Sequence, residues 1–395
     1  MSSHDLIVIG GGVVGSSLAQ ALAGDFSRIL LLDAHDGHST DASSAALGAL
    51  SAHLDEGEQV PLGEMLQLSL DLFRNWISGL SELSGVRIPL LSTGLIRAAV
   101  DETELSRLAD EVLPVLRRRG VEAWLLDGEQ VRRREPLVGP GVMGGLLTDQ
   151  DLAVEPEKLM SALRLILNRN RRVELRTEAA AEVGSTRTGA FVVLEDGRRL
   201  QADKVVIAAG HRSAELLNLP QGALLPIKGQ AVEYAPGVFG GKRLSVVCDT
   251  LIQNGGGIEA AIALPRPDGR VVAGVTFEEN RGDTEPTGEG RAALLRSLSR
   301  VFPGVERLPV NRHWAGVRPA SKDGVPVLGY ADEHQRIYAA TGHGGSGILL
   351  APITARLAAK AVTESEPAAD ERRCLDLCRP DRFSSRLLER SPREG

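Results

Sequence analysis

Cysteine is scarce: three residues in 395 (Cys248, Cys374 and Cys378) cannot build a disulfide framework. That scarcity points to a reducing, cytoplasmic setting. Cys374 and Cys378 stand four apart on an expected helix. No further Cys or His clusters beside them, so they read as ordinary side chains and no metal site is expected. Aromatic residues make up 3% of the chain, which leaves few rings with which to build a pocket. An excess of basic charge is also missing. The formal net charge is -7, whereas a phosphate backbone wants a basic face, so nucleic acid is not an expected partner. Long apolar runs are absent as well. The run that begins near Asp5 is about five residues, far short of the roughly 20 that cross a bilayer, and no basic flank precedes it. A soluble protein with no integral membrane segment is expected.

What is present suits a folded enzyme-sized chain. Hydrophobic residues are 43%, enough for a sizeable core, and the length suits two domains or one core with an inserted lobe. The first unit is the clearest. Asp5 to Ile9 reads as a buried parallel strand, Gly10 to Gly15 as a glycine turn, Val13 to Leu22 as a helix, and Arg28 to Leu32 as a second strand ending in Asp33. Strand, turn, helix and strand within about 30 residues make a βαβ unit. Gly10, Gly12 and Gly15 form G-x-G-x-x-G. Gly10 allows the tight turn, Gly12 lets backbone approach a pyrophosphate, and Gly15 lets helix and strand touch. Amides at the helix start, aided by its dipole, face the phosphates. Asp33, at the second strand's end, suits ribose hydroxyls and repels a 2′-phosphate. The motif alone does not separate NAD from FAD.

Further along, helices are expected over Leu66–Leu80, Glu102–Arg119, Lys158–Asn168, Gly290–Val301 and Ala351–Val362. Leu90 to Val100 reads as a strand around Thr93 and Gly94. A hairpin is expected about Asp196–Gly197, then a buried strand from Lys204 to Ala209. Leu224 to Thr276 reads as an antiparallel sheet, and Ile337 to Ala340 as a strand leading into a glycine loop. The charged tail after Pro367 is expected to end in a dozen disordered residues.

Five segments carry a family resemblance. They are Asp41 to Leu50, Val205 to Gly210 with Pro226 to Gln230, Trp314 to Pro319, Asp323 to Gly329, and Gly342 to Pro352. Together and in this order they resemble the D-amino-acid oxidase superfamily of flavoenzymes, and within it glycine oxidases of the ThiO type. The resemblance runs from about residue 4 to residue 383. It implies an α/β fold: a Rossmann-like FAD-binding domain plus an α+β substrate domain with a largely antiparallel sheet. By that resemblance residues 1–82, 150–222 and 314–383 form the FAD domain, 83–149 and 223–313 the substrate domain, and 384–395 a tail. FAD would be held without a covalent bond. Gly10, Gly12, Val13, Val14 and Gly15 would face its phosphates, with Asp33 and Ala34 at the ribose and Gly210 nearby. Ser43, Ser44, Leu47, Gly48 and Ala49 would lie near the flavin ring, as would the loop of His343, Gly344, Gly345, Ser346, Gly347, Ile348 and Leu349.

Arg318 is the implied anchor for a substrate carboxylate, since a planar guanidinium grips it with two parallel hydrogen bonds. Phe277 and His53 are expected to line the substrate site, and Trp314 to be packing. Two departures from the family stand out. Gly344, Gly345 and Ser346 replace an aromatic, an arginine and an asparagine, so the family's second arginine is missing. Ala261 to Arg266 lacks the family's tyrosine. The expected pocket is therefore more apolar. The implied reaction is oxidative deamination of a small amino acid or amine, with hydride transfer from Cα to flavin N5, giving an oxo-acid, ammonia and peroxide. No protein acid or base is required, because orientation and the flavin carry the chemistry. The reoxidant is dioxygen or another acceptor. Two alternatives stay open: a dehydrogenase feeding a quinone or partner protein, and a flavin-binding subunit of a hetero-complex. A homo-oligomer is also left open.

Overall fold

The computed structural model describes residues 4–35, 42–53, 60–92, 94–240, 247–249, 251–254 and 257–383, with backbone only at 60, 61, 247–249, 251–254 and 257–260. Asp41, Thr93 and the expected tail 384–395 lie outside the described residues.

Two large sheets organise the chain. The first has eight strands, in the order Ala180–Thr186, Gly189–Leu194, Arg199–Ile207, His4–Ile9, Ile29–Asp33 and Val173–Thr177, with Ile337–Thr341 and Val327–Tyr330 branching from Arg199–Ile207. Its centre is parallel: Ile7 lies opposite Leu30 on one side and Val205 on the other, and Val205 opposite Ile337. Strands buried on both faces need continuous apolar runs, as in Leu6–Ile9 and Ile29–Leu32. Leu6, Val8 and Leu31 face a layer of helices, Val13–Leu22, Val60–Ser84, Pro156–Arg169 and Gly347–Val362. Ile7, Ile9, Leu30 and Leu32 face the opposite core with Val183, Val192 and Leu216.

The second sheet has nine strands. Val310–Ser321 pairs along the length of Leu224–Tyr234, and from there the order is Val271–Gly274, Ile262–Pro265, Val247–Asp249, Leu95–Ala99, Gly144–Thr148 and Ala123–Asp127, with Glu278–Glu279 on the near end of Leu224–Tyr234. It is antiparallel except where Val247–Asp249 meets Leu95–Ala99. The helix Gly288–Val301 covers one face through Leu294, Leu298 and Val301. The other face carries Ala231, Leu264 and Val275 towards the first sheet's glycine-rich end. The fold is thus α/β with a second, largely antiparallel sheet. Residue 314, expected as a boundary, falls inside the strand Val310–Ser321.

Several elements differ from expectation for identifiable reasons. The strand read over Leu90–Val100 is two strands in two sheets, Leu90–Leu91 and Leu95–Ala99, broken at Gly94 with φ +77°. The second half of the hairpin and the strand Lys204–Ala209 are one strand, Arg199–Ile207, which is antiparallel to Gly189–Leu194 first and parallel to Ile337–Thr341 later. The last long helix starts at Gly347, inside the glycine loop, rather than at Ala351. The tail holds a further helix, Ala369–Leu377, and Cys374 and Cys378 are buried in the helical core. Among the described residues no helix is long and apolar enough to cross a membrane.

Candidate active site

The strand His4–Ile9 stops at Gly10, whose φ of +108° and close approach leave no room for a side chain: a Cβ there would lie 2.2 Å from the Ala208 carbonyl oxygen. Gly15 meets the turn from the helix side, where a Cβ would lie 1.9 Å from the Gly10 carbonyl oxygen. Gly12 caps the helix Val13–Leu22 with no side-chain bond of its own. The Val13 amide donates to Ser43 Oγ at 2.9 Å, and the Gly11 amide donates to Asp33 Oδ2 at 2.7 Å. Asp33 Oδ1 accepts from the His35 amide at 2.9 Å, which holds the carboxylate at the strand end. These groups line one end of a cavity of about 460 Å³ that runs between the two sheets.

The middle of the cavity is a pinned loop. After the short helix Ala42–Ala45, Gly48 takes φ +91° with the Val154 carbonyl against its Cα. Arg266, from the second sheet, donates to Leu47 O at 2.7 Å and to Val154 O at 3.1 Å. Trp314 Nε1 donates to Ala45 O at 3.0 Å, so this ring both packs and holds the loop. Opposite lies the C-terminal glycine loop. His343 is buried, its Nε2 bonds Thr354 Oγ1 at 3.0 Å, and burial pushes its pKa down to about 4. The ring is therefore neutral near pH 7. Gly344–Ser346 form a tight turn that opens the helix Gly347–Val362, whose first residues line the cavity.

Arg318 closes the far end. It lies opposite Ile227 in the pairing of Val310–Ser321 with Leu224–Tyr234, and its guanidinium passes over Gly229, where a Cβ would meet Nη1 at 2.4 Å. Nη1 donates to Thr276 O at 3.2 Å, and the Phe277 ring centroid is 4.7 Å from Cζ. Burial presses the pKa down to about 10, and no carboxylate among the described residues pairs with it. At neutral pH this is a charged fork facing a cavity.

The structure brings the expected residues together with two exceptions. Gly10, Gly12, Val13, Val14, Asp33, Ala34, Ser43, Ser44, Leu47, Gly48, Ala49 and Gly210 line the cavity, as do Phe277, Arg318 and the whole run His343–Leu349. Gly15 does not, since it serves the packing of helix on turn. His53 does not either, which corrects its expected place in the substrate site. Its ring is buried behind the wall, bonded to Asp151 at 2.8 Å and to Gln67 at 2.9 Å. Burial lowers its pKa, but the Asp151 carboxylate outweighs that and the net shift is upward. Ser51 lines the cavity in its place. Sequence reasoning also missed Gly11, Ile262, Val275 and above all Arg97, a second arginine on the cavity wall and a buried one. Its signal was a single charge inside the otherwise apolar strand Leu95–Ala99.

Comparison with known proteins identifies the family. The family model described as "DAO: FAD dependent oxidoreductase" matches residues 5–361. The bifunctional protein ThiO/ThiG of Synechocystis is 30% identical over 90% of this chain, which spans about half (51%) of that protein. Glycine oxidase of Bacillus licheniformis is 28% identical, covering 90% of this chain and 92% of its own. The crystal structure of glycine oxidase from Geobacillus kaustophilus superposes with a TM-score of 0.84 at 27% identity, over 93% of this chain and 96% of that one. The chain belongs to the DAO family of FAD-dependent oxidoreductases.

Proposed function

We propose that the protein oxidises the C–N bond of a small amine or amino acid that carries a carboxylate. The observation that supports this most directly is the Arg318 guanidinium, charged, partly buried, and facing the cavity with no carboxylate partner among the described residues.

The cavity fits an extended dinucleotide. Its turn end is side-chain-free at Gly10–Gly12, where a Cβ on Gly10 or Gly11 would strike neighbouring atoms. Amides of that turn would bind the pyrophosphate, with Ser43 beside them. Asp33 keeps lone pairs for ribose hydroxyls beyond the two amides it accepts from. Bound FAD supplies the two-electron acceptor. The loop His343–Leu349 brings a helix start to the cavity, and its partial positive charge favours an anion there. Arg318 holds the substrate carboxylate and so sets which hydrogen of the adjacent carbon faces the acceptor. Phe277 stacks on the back of the guanidinium and limits its swing. Burial disfavours the imidazolium of His343 and lowers its pKa to about 4, which makes it a weak base for a substrate proton, and its Nε2 is tied to Thr354. The amine must arrive unprotonated.

The test is an anaerobic screen of amines and amino acids against the flavin-loaded protein, watching the flavin's visible absorbance. Bleaching by a carboxylate-bearing amine is expected, with peroxide formed on admitting air. Bleaching without peroxide would indicate a dehydrogenase with another acceptor. No bleaching by any amine would overturn the reading.

A further inference from the structure

Arg318 shares its cavity with a second cation, and this one is buried. Arg97 is 2% exposed and lines the cavity from the strand Leu95–Ala99. Side chains alternate along a strand, so Arg97 shares a face with Leu95. Leu95 packs in the cluster of Ala231, Ile262 and Val275, and those three also line the cavity. The face that carries Arg97 is therefore the cavity's roof. Arg97 lies four strands from Leu224–Tyr234, over which the Arg318 guanidinium rests. At about 4.8 Å per strand this is on the order of 20 Å in a flat sheet. Ile262 and Val275 line the roof between those two strands. The acidic residues that line the cavity, among those described, are Asp33 and Glu178. Both are engaged at the dinucleotide end, Asp33 with the Gly11 amide and Glu178 with Arg198. Arg97 has bonds within the fold, and a guanidinium with five donors in a planar fork can serve a structural partner and a ligand carboxylate together.

A cation at each end of an apolar roof matches a ligand with two anionic ends. We propose that Arg97 is a second anion-binding group of the substrate site, and that the preferred substrate is an amine with two carboxylates, an amino dicarboxylic or imino dicarboxylic acid. This rests on Arg318 holding the first carboxylate. The reaction is unchanged; what is added is a grip on the second acid.

The test separates binding from turnover. Flavin-loaded protein is titrated with monocarboxylates and with malonate, succinate and glutarate, none of them amines, and the perturbation of the flavin spectrum gives each Kd. At least one dicarboxylate should bind at least about tenfold more tightly than the monocarboxylate of equal carbon number, equivalent to about 1.4 kcal/mol. Arg97→Gln should abolish the preference and Arg97→Lys should retain part of it, with flavin content reporting that each variant folds. Equal binding of both classes by the unaltered protein would overturn the proposal, as would a preference that survives Arg97→Gln. The two readings fail separately. If no amine bleaches the flavin while dicarboxylates still bind through Arg97, the oxidase reading falls and the subsite stands. If monocarboxylic amino acids are oxidised and no dicarboxylate preference exists, the subsite falls and the oxidase reading stands.

Discussion

Arg318 stays charged although burial presses its pKa down to about 10, because about three pH units still separate that value from neutrality. Its removal should be felt in substrate handling rather than in cofactor content. Arg318→Ala should lower kcat/KM for the best carboxylate substrate by roughly 30- to 1000-fold, equivalent to about 2–4 kcal/mol, with flavin content unchanged. Arg318→Lys should rescue poorly, since an ammonium lacks the planar fork. Steady-state kinetics on the two variants decide this, and a loss below about threefold would exclude the anchor role. Asp33→Ala should act on the other end. It strands the Gly11 amide and removes the proposed ribose contact, so FAD affinity should fall by about 2–3 kcal/mol while kcat at saturating FAD changes little. His343 provides a pH signature. Its folded pKa lies near 4, below the ordinary 6.5, so the unfolded chain takes a proton first as pH falls. Stability should drop progressively from pH 6.5 to pH 4, by roughly 3 kcal/mol. His53, shifted upward by Asp151, works in the opposite sense: its contribution is present at low pH and fades as pH rises through its folded value. Urea unfolding at pH 7 and pH 5 should show a smaller pH dependence in His343→Gln than in the unaltered protein.

At the scale of elements, the glycine turn and the pinned loop place the cavity wall. Gly15→Ala would push a methyl against the Gly10 carbonyl, where backbone meets backbone and no rotamer can relieve it. An overpacking cost of about 3 kcal/mol is expected, seen as a lowered melting temperature with poor flavin retention. Arg266 joins the second sheet to the loop through Leu47 O and Val154 O. Arg266→Met would leave both carbonyls without that donor, at roughly 2–4 kcal/mol, and should loosen FAD more than it alters substrate KM. Equilibrium dialysis of flavin against each variant would read both effects. The strand Leu95–Ala99 shows why its arginine escaped notice. Its neighbours Leu95, Ile96, Ala98 and Ala99 give no alternation, so periodicity could not say which face Arg97 takes.

For the molecule as a whole, the cavity proposed to hold FAD lies where two sheets and the loops of both meet, so FAD binding should couple to global stability. Ligand at a hundredfold excess over its Kd adds about 2.7 kcal/mol, and flavin-free protein should melt correspondingly lower in a thermal scan. No cysteine lines the cavity among the described residues, and burial pushes the Cys374 and Cys378 thiols up to about 11 and about 12. Acid denaturation followed by filtration should leave a yellow filtrate and a colourless pellet.

Local chemistry by itself determined the first βαβ unit, from Asp5 to Asp33, because every step of it is short-range: an apolar strand, a turn that only glycine can make, and a helix that starts on it. The rest of the expected cavity lining, Ser43–Ala49 and His343–Leu349, came from the family resemblance of those segments rather than from local chemistry. Tertiary structure alone decided what depends on partners distant in the chain. Asp151, about a hundred residues away, takes His53 out of the wall and into the core, since a buried imidazole follows its carboxylate. The pairing of Leu95–Ala99 with Gly144–Thr148 turns Arg97 into the cavity. Arg318 is set by register, because only when Val310–Ser321 lies beside Leu224–Tyr234 does its guanidinium meet the bare backbone of Gly229 and the Thr276 carbonyl. A side chain's direction in a strand is local, but what it faces is fixed by which strands pair, and that is a property of the whole chain.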